Sequence, residues 1–341
     1  MKLSEFDYNL PKELIAQYPV EKREKCRLMV LDRKAGASSH KTFEDITAHF
    51  NSGDLLVLNN TKVIPARLFG KRQTGGKVEL FLLESKGQIC EALVRPSGRL
   101  KEGERITLES GDEAEILGWG AVGRMVKFSR PLNGIMETAG HVPLPPYIDR
   151  ADEECDRHDY QTVYAEREGA TASPTAGLHF TKELLDRVTG KGIRIAYVTL
   201  HTNYGTFAPV KTDDVEGHVM HKEYFELPEE TKKAVLETKK SGGKVFAVGT
   251  TTTRVLEYCA RSDEYYGLRM KALCGYTDMF IYPGYKFAVV DRLITNFHLP
   301  KSTLMLLVSA FAGKDLIFKA YAEAVKDRYR FFSYGDSMLI V

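Results

Sequence analysis

The chain has 341 residues, 43% of them hydrophobic and 28% charged, which is enough for about two domains with a large buried core. A net charge of +2 excludes the strongly basic balance of a general nucleic-acid binder and leaves a local basic face as the electrostatic route to RNA. The five cysteines, Cys26, Cys90, Cys155, Cys259 and Cys274, are scattered without a C-x-x-C pair, which argues against a disulfide framework or a zinc knuckle and fits a reducing cytoplasm.

The opening MKLSEFDYNL has no apolar leader. Residues 1–60 then read as part of an α/β layer, with a helix over 11–17, a strand over 27–31, a helix over 43–50 and a strand over 54–58. From Thr61 the texture changes. GKVELFLL, ICEALVR, ERITLES, EAEILGW and GRMVKFS are short, partly alternating runs separated by turns, the pattern of a small antiparallel barrel or sandwich. Beyond Gly140 strands and helices alternate again, with strands over 193–200, 244–248 and 288–297 and helices over 229–240, 254–259 and 302–312. The expected fold class is α/β: a discontinuous α/β domain with a mixed sheet, residues 1–60 and 140–341, carrying an inserted antiparallel β-barrel domain, residues 61–139. The longest apolar run, 304–312, falls well short of the ~20 residues that cross a bilayer, so no membrane partner is expected.

One stretch organises the rest. In ASPTAGLHFT, residues 172–181, Pro174 fixes the backbone, Thr175, Ala176 and Gly177 let another molecule come close, and His179 titrates near neutrality. Thr181 then caps a helix. Three other polar segments follow predicted strands: His201 to Phe207, Gly249 to Arg254 with its four threonines, and Asn296 to Ser302 with His298. Ligands in open α/β sheets bind beyond the carboxyl ends of strands, so these junctions are expected to face one cleft holding His179, His201, His298, Arg254 and Asn296. The threonine segment reads either as a helix cap or as an anion site with Arg254 as counter-charge. His218 and His221 lack further ligands for zinc. Gly118 to Gly123 matches G-x-G-x-x-G but leads into a strand, so it reads as a turn. Neither a Walker loop nor a G-x-S-x-G elbow is present.

The words LPKELIAQYP, NNTKVIPARLFG, LPPYIDR, YQTVYA, PTAGLHFT, MHKEYFE, FIYPGY, TNFHLPKSTL and YRFFSYGD occur in this order from end to end, and through them the chain resembles the S-adenosylmethionine:tRNA ribosyltransferase-isomerases of queuosine biosynthesis. The resemblance implies transfer of the ribosyl part of S-adenosylmethionine to 7-aminomethyl-7-deazaguanine at the wobble position of a tRNA, giving epoxyqueuosine, adenine and methionine. Partners would be S-adenosylmethionine, a consumed substrate, and the tRNA. No metal and no other cofactor is expected, and the expected state is a cytoplasmic monomer.

A base and an acid must flank the nucleoside, and His179, His201 and His298 are the candidates, with Tyr164, Tyr282 and Tyr334 as further donors. Arg254, Thr250 and Thr251 suit the methionine carboxylate or an RNA phosphate. Asn59, Asn60, Thr61 and Arg67 suit the nucleoside or the tRNA, with Lys62, Lys71, Arg72 and Lys77 beside them as a basic face. Departures from the family pattern fall at Ser173, at Thr202-Asn203-Tyr204 before Gly205, at Ala208, and at Thr252-Thr253. The competing readings are a divergent relative acting on a free nucleoside or another amine, and a non-catalytic RNA-binding protein.

Overall fold

The computed structural model describes residues 1–203, 212–263, 267–271 and 273–341. Its first elements are β1 (Arg27–Asp32), β2 (Ala37–Thr42), β3 (Leu55–Asn59) and the short β4 (Thr61–Val63). Next come β5 (Arg67–Arg72), β6 (Lys77–Lys86), β7 (Ile89–Arg95), β8 (Arg105–Leu108), β9 (Glu113–Trp119), β10 (Arg124–Phe128) and α1 (Leu132–Ala139). The short α2 (Asp156–Asp159) and β11 (Arg167–Ala170) lead to α3 (Lys182–Gly190), β12 (Arg194–Leu200), β13 (Glu223–Leu227), α4 (Glu229–Lys240), β14 (Val245–Val248) and α5 (Gly249–Cys259). The remaining elements are β15 (Ala260–Asp263), β16 (Gly267–Met270), β17 (Leu273–Thr277), β18 (Arg292–Asn296), α6 (Thr303–Ala312), α7 (Lys314–Lys326) and β19 (Ser337–Ile340).

Nine strands form one mixed sheet in the order β17-β13-β12-β3-β14-β18-β19-β1-β2. Its centre, β12-β3-β14-β18, is parallel. Central parallel strands are buried on both faces and read as continuous apolar runs, and LLVLN in β3 is buried at all five positions. The alternation of side chains splits these runs between two cores. Leu55 and Val57 join the core under α4, α5, α6 and α7, while Leu56 and Leu58 join the one under α3 and the 3-10 turn at Phe43–His49.

Strands β5 to β10 close into a six-stranded antiparallel barrel, so the expected α/β fold with an antiparallel barrel is the one observed. Inward residues alternate strictly, as in Val78, Leu80 and Leu82 or Cys90, Ala92 and Val94, and α1 adds Leu132, Ile135 and Ala139 to the same core. Strand β4 pairs with β11 instead, so the barrel's own ladder begins at Arg67. Gly118 lies near the end of β9, which stops at Trp119, and residues 121–123 bend before β10, so the dinucleotide-like match spans a strand end and a turn.

Four element expectations change, and the first is the helix over 43–50, which is the 3-10 turn Phe43–His49. The segment 11–17 is helical only as a 3-10 turn, Lys12–Leu14, with Pro11 before it. Helix α5 begins at Gly249, so the threonines build its first turn instead of preceding it. The last predicted strand begins only at Arg292, because the N–H groups of Ala288, Val289 and Val290 donate to the buried Glu257 carboxylate at 2.8, 3.0 and 2.9 Å instead of entering the ladder.

Candidate active site

The carboxyl ends of β3, β12, β14 and β18 fall at Asn59, Leu200, Val248 and Asn296, and the polar junctions that follow them come together there. A narrow cavity of about 60 Å³ is lined by 172–176 on one side, by Gly249, Thr250 and Thr251 on another, and by Thr202, Thr295 to His298, Tyr147, Phe332 and Ser333. Hydrogen bonds tie the walls together. Thr202 Oγ1 donates to the Ala172 carbonyl at 2.6 Å, and the Tyr147 and Ser333 hydroxyls meet at 2.5 Å.

Asn59 stitches the strand ends rather than facing a ligand. Its Oδ1 accepts from Thr61 N (3.1 Å) and Leu200 N (3.0 Å), and its Nδ2 donates to Leu200 O (3.1 Å) and Thr251 Oγ1 (3.2 Å), which uses its whole hydrogen-bonding capacity. Asn60 is similarly engaged, donating to Glu166 at 3.1 Å and accepting from Thr199 at 2.7 Å.

The three histidines differ. His179 is buried, with Nδ1 3.1 Å from Cys26 Sγ and Nε2 2.9 Å from Asn296 Oδ1. Asn296 Nδ2 donates to the carbonyls of Phe332 (3.0 Å) and Ser333 (3.2 Å), so its oxygen must face the ring. One tautomer satisfies the chain: the thiol donates to Nδ1, and Nε2–H donates to Asn296. Burial holds the His179 pKa below its ordinary value and pushes that of Cys26 well above, so both groups stay neutral. His179 thereby shapes the cavity wall through Asn296.

His298 lines the cavity itself. Its Nε2 lies 2.8 Å from Thr295 Oγ1, and burial lowers its pKa to about 3, so the ring is a neutral imidazole. His201 is half-buried and stacks on Tyr224 at 5.4 Å, with Nδ1 2.8 Å from Thr61 Oγ1. Gly169, at φ 144°, leaves the room its ring needs, since a Cβ there would come within 2.8 Å of the imidazole. His201 is not among the residues lining the cavity.

Arg254 stands one turn into α5 and is buried. Its Nε donates to the Met279 carbonyl at 2.8 Å and its Nη1 pairs with the buried carboxylate of Glu223, while Nη2 has no partner among the described residues. It does not line the cavity. Pro174, Thr175 and Ala176 do, whereas Gly177 is packed against Tyr164, whose hydroxyl would lie 1.9 Å from an added Cβ. Tyr282 packs on Phe280 at 5.1 Å, at the edge of the larger core. Gly205, Tyr204 and Ala208 lie outside the described residues.

A second, wider cavity of about 480 Å³ lies between the barrel and the α/β part, lined by Arg67, Arg95, residues 143–146, Ile148, Arg150 and Thr171. Chain neighbours line both spaces: Thr171 the wide one and Ala172 the narrow one, Pro146 and Ile148 the wide one and Tyr147 the narrow one. Of the expected basic face, Lys62, Arg67 and Arg72 pair with Glu168, Glu79 and Glu104 at 2.9, 2.7 and 2.5 Å. Lys71 and Lys77 are exposed and sit directly opposite one another on β5 and β6.

Sequence reasoning did not single out Cys26, Thr295, Tyr147, Phe332 or Ser333. Four of them, Tyr147, Thr295, Phe332 and Ser333, fall within the words LPPYIDR, TNFHLPKSTL and YRFFSYGD, whereas Cys26 lies in none. A group with metal-ligand spacing, His40, Glu323 and Asp327, joins β2 to α7 and lines neither cavity.

A profile of the family described as queuosine biosynthesis protein matches residues 3–340. The S-adenosylmethionine:tRNA ribosyltransferase-isomerase of Sulfurihydrogenibium sp. is 54% identical over the whole of both chains, and that of Acetivibrio thermocellus is 52% identical, again over both whole chains. The crystal structure of S-adenosylmethionine tRNA ribosyltransferase from Thermotoga maritima is 40% identical, with a TM-score of 0.58, over 99% of this chain and 100% of that one.

Proposed function

The chain belongs to the queuosine biosynthesis protein family and is an S-adenosylmethionine:tRNA ribosyltransferase-isomerase, and from that premise we propose how its two cavities divide the reaction. The enzyme moves the ribosyl moiety of S-adenosylmethionine onto the amine of 7-aminomethyl-7-deazaguanine at the wobble position of tRNA. Epoxyqueuosine forms, with release of adenine and methionine.

S-adenosylmethionine seats with one end in the narrow cavity, and the wobble nucleoside enters through the wider one. Size supports this division. About 60 Å³ is too small for a nucleoside, whereas about 480 Å³ falls in the ordinary range for a small-molecule site. The wide cavity also brings Arg67, Arg95 and Arg150 together with Glu79 and Asp149; Arg67 pairs with Glu79 and Arg150 with Asp156, so a polyanion would meet guanidiniums that already hold carboxylates.

The sulfonium acidifies the adjoining 5′ carbon, a base takes that proton, adenine departs from C1′, and the substrate amine attacks the sugar as methionine leaves. His298 is our choice for the base, because its ring borders the cavity and is uncharged, although burial disfavours the imidazolium that proton transfer would create. His179 and Asn296 position the wall, and His201 supports the β12 end from outside the cavity. The reaction draws on no metal and no cofactor beyond the consumed S-adenosylmethionine, so chelation leaves the rate unchanged, and the protein acts as a monomer.

The observation carrying this reading is the family match over residues 3–340. Its test is incubation with S-adenosylmethionine and tRNA bearing the aminomethyl-deazaguanine, followed by mass analysis. One adenine and one methionine per epoxyqueuosine are expected. Absence of nucleoside product, or equal turnover of the free nucleoside, would replace it with the divergent-acceptor reading.

A further inference from the structure

We propose that the first turn of α5 and the Ser173 hydroxyl form an oxyanion subsite that takes the α-carboxylate of the methionine part of S-adenosylmethionine. The proposal rests on the assignment of the narrow cavity to that substrate.

The chain turns from β14 into α5 through Gly249 at φ +87°, a conformation that residues with a Cβ rarely adopt. The backbone at this border of the cavity is therefore bare. The first N–H groups of a helix have no acceptor within it, and they carry the positive end of its dipole. Here the N-cap is Val248 and no side chain caps the turn.

Three of the four threonines that look like caps in the sequence are engaged elsewhere. Thr252 and Thr253 donate back to the carbonyls of Val248 (2.7 Å) and Gly249 (3.1 Å), and Thr251 Oγ1 accepts from Asn59. On the facing wall Ser173 is 6% exposed, and its Oγ has no hydrogen-bond partner. Of the six buried hydroxyls without a partner among the described residues, Ser173 is the one that lines this cavity, where a bound group can satisfy it.

Size and charge select the group. A space of about 60 Å³ holds a few waters, which suits a carboxylate. No Asp, Glu, Lys or Arg lines it, so the donors are neutral dipoles matched to a single negative charge, and Arg254 is already committed to Glu223. An RNA phosphate offers the same oxyanion chemistry, and the experiment separates the two sources.

Calorimetric titration of the full chain with S-adenosylmethionine, with its decarboxylated form and with tRNA is the test, on the wild type and on Ser173→Ala, with melting temperature confirming the fold. The wild type is expected to bind S-adenosylmethionine at least about tenfold more tightly than the decarboxylated form. Ser173→Ala is expected to weaken S-adenosylmethionine about five- to tenfold while leaving the decarboxylated form and tRNA unchanged. Equal affinity for the two sulfonium ligands in the wild type overturns the subsite and leaves the wider reading standing. Loss of tRNA affinity alone in Ser173→Ala overturns it in favour of a phosphate. If neither sulfonium ligand binds the wild type, the assignment of the cavity to S-adenosylmethionine fails, and the subsite with it.

Discussion

Replacing Arg254 by alanine should unfold part of the α/β domain's margin of stability without a selective effect on substrate. Arg254 and Glu223 form an ion pair whose side chains are 6% and 2% exposed. Removing one partner of such a pair leaves an uncompensated buried charge, at a cost of roughly 3–5 kcal/mol. The Met279 carbonyl also loses its donor. Glu223→Gln should cost a similar amount, because it strands the guanidinium instead. The double variant Arg254→Met, Glu223→Leu should recover most of the loss, since well-packed apolar residues often replace a buried pair at little cost. Urea denaturation of the four proteins compares these losses directly, and calorimetry below the transition gives S-adenosylmethionine affinity on folded protein. Unchanged denaturation of Arg254→Ala, together with a tenfold or greater loss of S-adenosylmethionine affinity, would refute this reasoning and return Arg254 to the substrate.

Stability should fall on acidification through His298. Its folded pKa, about 3, lies below the ordinary unfolded value of about 6.5, so its contribution is complete above pH 6.5 and is lost as the unfolded chain takes up a proton. By pH 5 this amounts to about 2 kcal/mol, absent from His298→Gln, and a flat urea midpoint in the wild type between pH 7 and 5 would count against it. His179→Ala should slow turnover and lower the melting temperature, yet leave the pKa values of the rate profile in place, because the ring works through Asn296 and not by moving a proton; a profile that loses one limb would contradict this. Lys71→Ala with Lys77→Ala should weaken tRNA binding and flatten the slope of log affinity against log salt by about 1.4, as expected if these opposed like charges meet phosphates. An unaltered slope would remove them from the tRNA surface.

The central strands were legible because β3, β12, β14 and β18 are apolar runs bounded by glycine or polar residues, and the cleft at their ends followed from where chains of this kind leave room. Strand β5 escaped notice because RLFGKR buries only Leu68 and Gly70. That glycine is there for close approach, with a Cβ at this point coming 2.7 Å from the Thr107 carbonyl of β8. Strand β2, ASSHKT, has no apolar face to read.

At the site, the sequence supplied titratable residues at strand ends but not their partners. Cys26 is 153 positions from His179, and Glu223 is 31 from Arg254. Those pairings set the His179 ring between Cys26 and Asn296 and the Arg254 guanidinium against Glu223. A helix after the threonine segment was visible, whereas its start at Gly249 and the engagement of Thr251 with Asn59 and of Thr252 and Thr253 with backbone carbonyls were not.

Filling the narrow cavity tests most directly whether S-adenosylmethionine seats there. Ala176 lines it, with its Cβ 3.8 Å from where a Cβ on Gly249 would stand, so Ala176→Leu places a larger side chain where the substrate's end should go. Adenine release, S-adenosylmethionine affinity, tRNA affinity and melting temperature are measured on the same preparation. The account predicts a folded protein that still binds tRNA but no longer binds S-adenosylmethionine or releases adenine. A folded Ala176→Leu protein with wild-type S-adenosylmethionine affinity and adenine release would contradict it.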